Sequence, residues 1–588
     1  MKRFARVALV LALGAGCAKG IPRPDGGAGG SGAGGNTGNW VTFTVPAVNA
    51  SLDVLFMVDN SSGMDLKQNA LAQSFSQLIQ QAQQLPGGLP DLHIGVISSD
   101  MGAGSEPIGQ DCKRVLGDRG LLYGNDPKNS LASVAPSADP AQGGHPDPSG
   151  CGLGSGQRWI SDIANPNGTG RITNYYGSIQ DVFSCLAKAV GTSGCRFEHQ
   201  LQSLRVALNA DYPDNPKDTP NQINPENIGF VRPYAYLGIV LITDEDDCSA
   251  DPDDYLNDAM FLQTQNPTTE TTSLRCATRG HICNGQAIPG YQDPSVGYQP
   301  PNPLPQPNLG FSTAFANCAP KDQPNPASPA HSYLPLIRVQ DMIDSVNGVS
   351  AWAVDANGNY VYDGKGSHVS VQKTPDKILV SGIIGWPPDP NTNLNGIATS
   401  NLYQIGIDTS SLPAPQNTYW DYLPICQIPS MKSSDGNLYK AYGGLRLKRF
   451  IDAFGANGQV FSMCSSSFFP AMAQIGASML SKIVSGCLGQ TLPDSDPNTL
   501  GFQTSCQVKV RVPCSGTTTC PASGFVDTPV SQCSSSDPVY IPDSERPCWV
   551  ISTNTTNCPG AANQRIDLLW RNGTIPAQGT LLALTCPR

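Results

Sequence analysis

Residues Leu55 to Met64 read LFMVDNSSGM. An apolar run stops abruptly at a carboxylate, Asp59, followed by two hydroxyls, Ser61 and Ser62, and by Gly63. Extended back to Leu52, the run LDVLFMVD is too uniformly apolar for a strand with one wet face. It predicts a strand buried on both sides of a parallel sheet. Open sheets of that kind bind ligands outside the carboxyl ends of their strands, where the strand order reverses. The polar cluster at this tip is therefore either a metal site or only a polar turn.

The pattern continues downstream. Leu71, Phe75, Leu78, Ile79 and Ala82 recur at helical spacing, and LHIGVISSD from Leu92 to Asp100 reads as a second strand. The stretch from Phe197 to Ala210 reads as an amphipathic helix leading to YLGIVLITDEDD, a strand that ends in acids at Asp244. A further strand is predicted from Lys377 to Trp386. A helix follows with Leu447, Phe450, Ile451 and Phe454 on one face, then a short strand near Val460 and a helix through Met472, Ile475 and Met479. Alternation of this kind predicts an α/β fold with a doubly wound, mostly parallel sheet.

Two stretches, near 102–174 and 250–375, are rich in Pro, Gly, Asn and Asp and lack periodicity. Both follow strand ends and are expected to be long loop insertions. Beyond Cys487 the chain changes to short alternating segments such as CQVKVRVPC, PVYIP, PCWVIS, RIDLLW and GTLLALTC, which predict a small disulfide-rich β-domain over 488–588. The α/β domain itself is assigned to 40–487.

The chain begins MKRFAR, then VALVLALGAG, then Cys17, the layout of an export signal over residues 1–16. The run LGAGC resembles a bacterial lipoprotein signal, which implies lipidation of Cys17 and an outer-membrane lipoprotein in the cell envelope. It departs from the usual pattern at Gly14, so an ordinary signal peptide stays open. Residues 17–39, with DGGAGGSGAGGNTGN from Asp25 to Asn39, then form a flexible tether. Of nineteen cysteines, eighteen remain besides Cys17, and no CxxC occurs. Paired structural cysteines are expected: Cys112, Cys151, Cys185, Cys195, Cys248, Cys276, Cys283, Cys318, Cys426, Cys464, Cys487, Cys506, Cys514, Cys520, Cys533, Cys548, Cys558 and Cys586. Seven of these follow Cys487, an odd number that points to one pairing back toward the main domain, with Cys487 the nearest candidate. Loss of Lys2, Arg3 and Arg6 with the signal would take the net charge from −11 to about −14, which excludes nucleic acid as a partner.

A hard divalent cation needs several oxygen ligands converging from different loops, and Asp59, Ser61 and Asp244, at the ends of two strands that could be neighbours, offer them. Here the chain resembles the von Willebrand factor A domain, whose metal-ion-dependent adhesion site follows the first strand with an Asp-x-Ser-x-Ser signature. Asp59 matches its Asp and Ser61 its first Ser, while Asp244 looks like the acid closing the family's fourth strand. The resemblance covers roughly Leu52 to Val484, interrupted by the insertions. The segments DVLFMVDNSSGM, VLITDEDDCS and FGANGQVFSMC also resemble cysteine-rich exported proteins of myxobacteria. Gly63 stands where the family has its second Ser, and replacing it with Ser is expected to restore a ligand provided the turn keeps the family's shape. For the family's loop Thr there are two candidates, Thr192 and Glu198. The resemblance implies a bound Mg2+, Mn2+ or Ca2+ and a protein or cell-surface ligand.

Other signals are weaker. DEDDCSADPDD, from Asp244 to Asp254, holds seven acids in eleven residues and reads as a solvated loop or a calcium site. DANGNYVYD, Asp355 to Asp363, reads as a hairpin. No HExxH, GxSxG or Walker loop is present, and His199 beside Glu198 reads as a lone surface histidine. The expected role is a membrane-anchored binding module and not an enzyme. A structural envelope protein with a metal-free relic site is the alternative, and a secreted hydrolase the third.

Overall fold

A computed structural model of the chain describes residues 40–46, 51–83, 89–102, 117–125, 148–165, 170–208, 227–250, 272–287, 312–322, 336–352, 362, 370–387, 403–407, 420–483, 488–495, 504–514, 521, 525–534, 541–553, 564–569 and 580–587, several with gaps of one or two residues. The signal and tether, and all of Asp355–Asp363 except Tyr362, lie outside the described residues.

The core element is a seven-stranded sheet. In chain order its strands are β1 (Ser51–Val58), β2 (Asp91–Ser98), β3 (Ile160–Ala164), β4 (Arg171–Thr173), β5 (Tyr236–Ile242), β6 (Ile378–Ile384) and β7 (Gly458–Ser462). Their spatial order is β7-β6-β5-β1-β2-β3-β4. β7, β6, β5, β1 and β2 are mutually parallel, and β3 and β4 add antiparallel strands at one edge. From β1 the chain builds outward to one side, then returns to lay β5 against β1's other side. The reversal point therefore lies between the carboxyl ends of β1 and β5.

Helices cover both faces, as the uniformly apolar strands require. α1 (Asp65–Gln83), α2 (Ile179–Ala189) and α7 (Phe469–Ile483) pack on one face, where they meet Val54, Phe56 and Val58 of β1. Phe75 and Phe183 stack there with ring centroids 3.8 Å apart, and Phe56 lies 4.6 Å from Phe183. α3 (Gln200–Leu208), α5 (Val339–Asn347) and α6 (Leu445–Asp452) cover Leu55 and Met57 on the other. α4 (Thr272–Gly280) lies between β5 and α5 in the chain. The doubly wound α/β fold expected from the sequence is the fold observed.

Three details differ from the sequence reading. β3 and β4 lie within the stretch taken as an insertion; five and three residues in polar surroundings carry too little periodicity to be recognised. Likewise α5 belongs to the sheet's helical cover although it lies inside the second stretch. Trp40–Pro46, assigned to the α/β domain, pairs instead with Leu581–Pro587 at the other end of the chain, in a four-stranded sheet with Gln507–Pro513 and Phe525–Val530. A two-stranded ribbon, Cys548–Thr553 with Gln564–Leu569, packs Trp549 and Ile566 into the same small core.

Every described cysteine is in a disulfide. The pairs are Cys151–Cys185, Cys248–Cys276, Cys283–Cys318, Cys426–Cys464, Cys506–Cys586 and Cys533–Cys548, and Cys195 and Cys514 are bonded as well. Cys17, Cys112, Cys487, Cys520 and Cys558 lie outside the described residues, and with them the expected link from Cys487. Such bracing fits an exported protein. No helix among the described residues is long and apolar enough to cross a membrane.

Candidate metal centre

The parallel register sets the site. Val58 pairs with Ile242 on one side and with Ser98 on the other, so the residues just past the strand ends come together. The Asp59 amide donates to Ile242 O at 2.9 Å, carrying the ladder one step further. Its carboxylate is then flanked by Thr243, which donates to Oδ2 at 2.7 Å, and by Ser99, which donates to Oδ1 at 3.4 Å. The Ser61 amide also donates to Oδ1, at 2.8 Å, so the polar turn of the sequence reading exists and is folded around Asp59. Ser61 itself is buried.

Glu198 arrives from the loop before α3. It does not lie on the helix, which begins at Gln200 and whose Leu201 amide donates to Asp247 Oδ1 at 2.9 Å. Asp59, Glu198 and Asp244 each place a carboxylate oxygen within 4.8 Å of the others. They are 0%, 1% and 5% exposed. Glu198 Oε1, Asp244 Oδ1 and Gln200 Oε1 are buried with no hydrogen-bond partner. Three acceptors without donors, two of them oxygens of these carboxylates and the third the Gln200 amide oxygen, form a set that a hard cation satisfies and that water-excluded protein alone leaves costly.

The electrostatics agree. Burial, with the charges of Asp59 and Glu245 added, raises the Glu198 pKa well above the usual carboxylate range. Burial also raises Asp244, against the opposing pull of Lys67. Glu245, half-buried, is pushed up to about 8 by burial and by Asp244, while a hydrogen bond from Ser273 at 2.8 Å works the other way.

Of the two candidates for the loop ligand, the structure brings in Glu198. Thr192 is half-buried in a neighbouring loop, tied in by Gly191 O, which accepts from Gln68 Nε2 at 2.7 Å, and by the Gly194 amide, which donates to Asn60 O at 2.9 Å. No hydrogen bond joins Thr192 to the carboxylates among the described residues. A Cβ on Gly194 would run into the Asn60 side chain, which explains the glycine at this close approach. Gly63 has φ of 92°, in the left-handed region. Serine there would be strained, so the turn keeps its present shape in that variant only at a cost.

The described part of the acid run, Asp244–Asp247, is not a solvated loop; Asp251, Asp253 and Asp254 lie outside the described residues. Asp246 accepts from His281 Nε2 at 2.8 Å and from the Arg446 and Leu447 amides at the start of α6. Asp247 is buried against Arg446, whose Nη2 lies 2.9 Å away. These carboxylates are held by protein donors, and among the described members of the run it is Asp244 that joins the carboxylate cluster. His199 is also reassigned: it is 2% exposed, not a surface residue, and burial lowers its pKa to about 3.

No protein-family model and no curated protein matches the sequence. Among solved structures, the pilus adhesin SpaC from Lactobacillus rhamnosus GG in its open conformation aligns with 93% of this chain and 40% of its own length, at 8% identity and a TM-score of 0.23. A similarity at that level carries no argument about fold or role.

Sequence reading missed Lys67, Thr243, Ser99, Gln200 and Glu245. Lys67 had a usable signal, because it lies one helical turn before Leu71 on the apolar face of α1. It is fully buried, and its Nζ lies 2.5 Å from Asp244 Oδ2.

Proposed function

We propose that this chain is an exported binding module of the von Willebrand factor A type. In this reading Asp59, Glu198 and Asp244 hold one divalent cation, Mg2+, Mn2+ or Ca2+, and the loops around them recognise a protein or cell-surface ligand. The observation that carries it is the surplus of buried acceptors, with Glu198 Oε1 and Asp244 Oδ1 lacking donors at the sheet's reversal point. The type rests on the Asp59-x-Ser61 turn after one strand and Asp244 after its neighbour. Ser61 is held in that turn by its amide, which leaves its hydroxyl as a further candidate ligand.

The reading makes the chain a binding protein and not an enzyme. It also keeps Cys17 as the lipid anchor of an outer-membrane lipoprotein, on the strength of the LGAGC run. A second reading, a structural envelope protein with a relic site, is favoured by one observation: the Lys67 ammonium already sits on Asp244. Thermal melting of the EDTA-treated mature protein separates the two. Millimolar MgCl2, MnCl2 or CaCl2 should raise the melting temperature of the wild type and leave Asp59→Ala unmoved. Equal, zero shifts in both would leave the relic reading. The anchor is tested separately, because wild type should partition with membranes and Cys17→Ala should not.

A further inference from the structure

We infer that Lys67 is the resident cation of the carboxylate cluster, and that its ammonium must leave Asp244 before a divalent ion can be held. The inference rests on the cation reading above and adds the residue that regulates it.

Lys67 projects from the first turn of α1 into a water-excluded space. Its Nζ donates to Asp244 Oδ2 at 2.5 Å and to Gly63 O at 3.2 Å, and it stands 4.9 Å from the centroid of the Tyr439 ring. Tyr439 is itself fixed, its one hydroxyl hydrogen placed between Met463 O at 2.9 Å and Ser465 O at 2.8 Å. A buried ammonium is costly without a counter-charge and hydrogen bonds, and here it has a carboxylate, a carbonyl and a ring face. The lysine is thus built into the site.

Its partner is one of the three carboxylates of the cluster, and the other oxygen of that carboxylate, Oδ1, has no donor at all. Asp244 is therefore half-neutralised by the chain and half open. Position 63 supplies a backbone carbonyl to the lysine and no side-chain oxygen to an ion. A divalent ion on Asp244 and an ammonium on the same carboxylate would repel strongly at such short range in a poorly screened interior. Lys67 has a flexible four-carbon stem and can withdraw along the Tyr439 face, whereas Asp59 and Asp244 are fixed to strand ends.

Two consequences follow. The loops stay assembled without an ion, because the ammonium offsets part of the repulsion among the acids. Occupancy then requires a high concentration of free cation, on the order of 10⁻⁴–10⁻³ M as in weak extracellular calcium modules.

The test uses the mature protein, titrated calorimetrically with MgCl2, MnCl2 and CaCl2. Lys67→Met keeps the stem and removes the charge, so it should bind at least one of these ions about tenfold or more tightly than wild type. Its metal-free form should melt lower, and adding Asp244→Asn should recover more of that loss than independent effects allow. Should wild type bind and Lys67→Met bind no better, the displacement idea is overturned while the cation reading stands. Should no ion bind to either protein, both fail together. The wild type supplies a second readout that does not depend on the folding of Lys67→Met. In lysine-labelled protein, saturating Mg2+ should move the NMR signal of one buried ammonium, and Asp59→Ala should abolish that change. Calorimetric Mg2+ binding with every lysine signal unmoved would contradict the inference.

Discussion

Strand β1 carries a buried aspartate at each end, and the two are treated oppositely. Near its start, Asp53 accepts from Arg232 through Nε at 2.7 Å and through the amide at 2.6 Å. Arg232 Nη2 continues to Leu52 O and Asp91 O, while Lys373 Nζ donates to Arg232 O and Ala235 O at 2.7 and 2.6 Å. The polar atom left over in that group is a donor, Arg232 Nη1. Past the other end of β1, Asp59 shares its space with Glu198 and Asp244, and the atoms left over are acceptors. Both groups are buried to a similar degree, so burial does not distinguish a brace from a site. The balance of donors and acceptors does: a closed network holds the loop before β5 in place, and one with surplus acceptors could hold a cation.

The comparison breaks most visibly at the closed end. Arg232→Met leaves Asp53 charged without its guanidinium, with the residue-232 amide still donating to it, and should cost about 3–5 kcal/mol in urea unfolding. Asp53→Ala should cost a similar amount for the mirror-image reason. If either variant unfolds at the wild-type urea midpoint, the brace has been misread.

Next in size is a pH effect from the same group. Burial, helped by Arg232, lowers the His93 pKa from 6.5 to about 4. The unfolded chain then takes up a proton that the folded protein refuses. Stability from this residue is complete above pH 6.5 and falls as the pH drops toward 4, by up to about 3 kcal/mol. Urea midpoints at pH 7.5 and 4.5 should differ less in His93→Gln than in wild type, and an unchanged difference would remove His93 from the account.

Gly63→Ser should destabilise by about 1–2 kcal/mol, because its φ lies in the left-handed region. Tighter cation binding in that variant would show that the turn can rearrange. The smallest effect is the most telling: Asp59→Ala, in EDTA, should melt at or slightly above wild type. Removing one of three crowded carboxylates relieves repulsion, and β1 stays buried without it. A loss comparable to that of Asp53→Ala would mean the two ends are alike.

Much of this was readable in advance. β1, β2, β5 and β6 were marked by runs of Val, Ile and Leu, since strands buried on both faces must be apolar throughout. Asp59 and Asp244 stood out because each ends such a run. Glu198 was reachable as one of two candidates but not decidable, since the choice over Thr192 depends on how the loop before α3 turns. The fates of Asp246 and Asp247 could not be read locally. Their partners, His281 and Arg446, lie far along the chain, so a run of acids looked solvated when two of its members cap and pair. β3 and β4 were too short to show a period. Lys67 was overlooked although the helical spacing placed it on the buried face, where a polar residue always asks for a partner.

The most direct test of the central claim is anomalous diffraction from crystals of the mature protein soaked in MnCl2. The account predicts a manganese peak among the carboxylates of Asp59, Glu198 and Asp244, with the Lys67 ammonium drawn away from Asp244. Clear density showing the three carboxylates without manganese, and Lys67 still seated on Asp244 at saturating MnCl2, would contradict it.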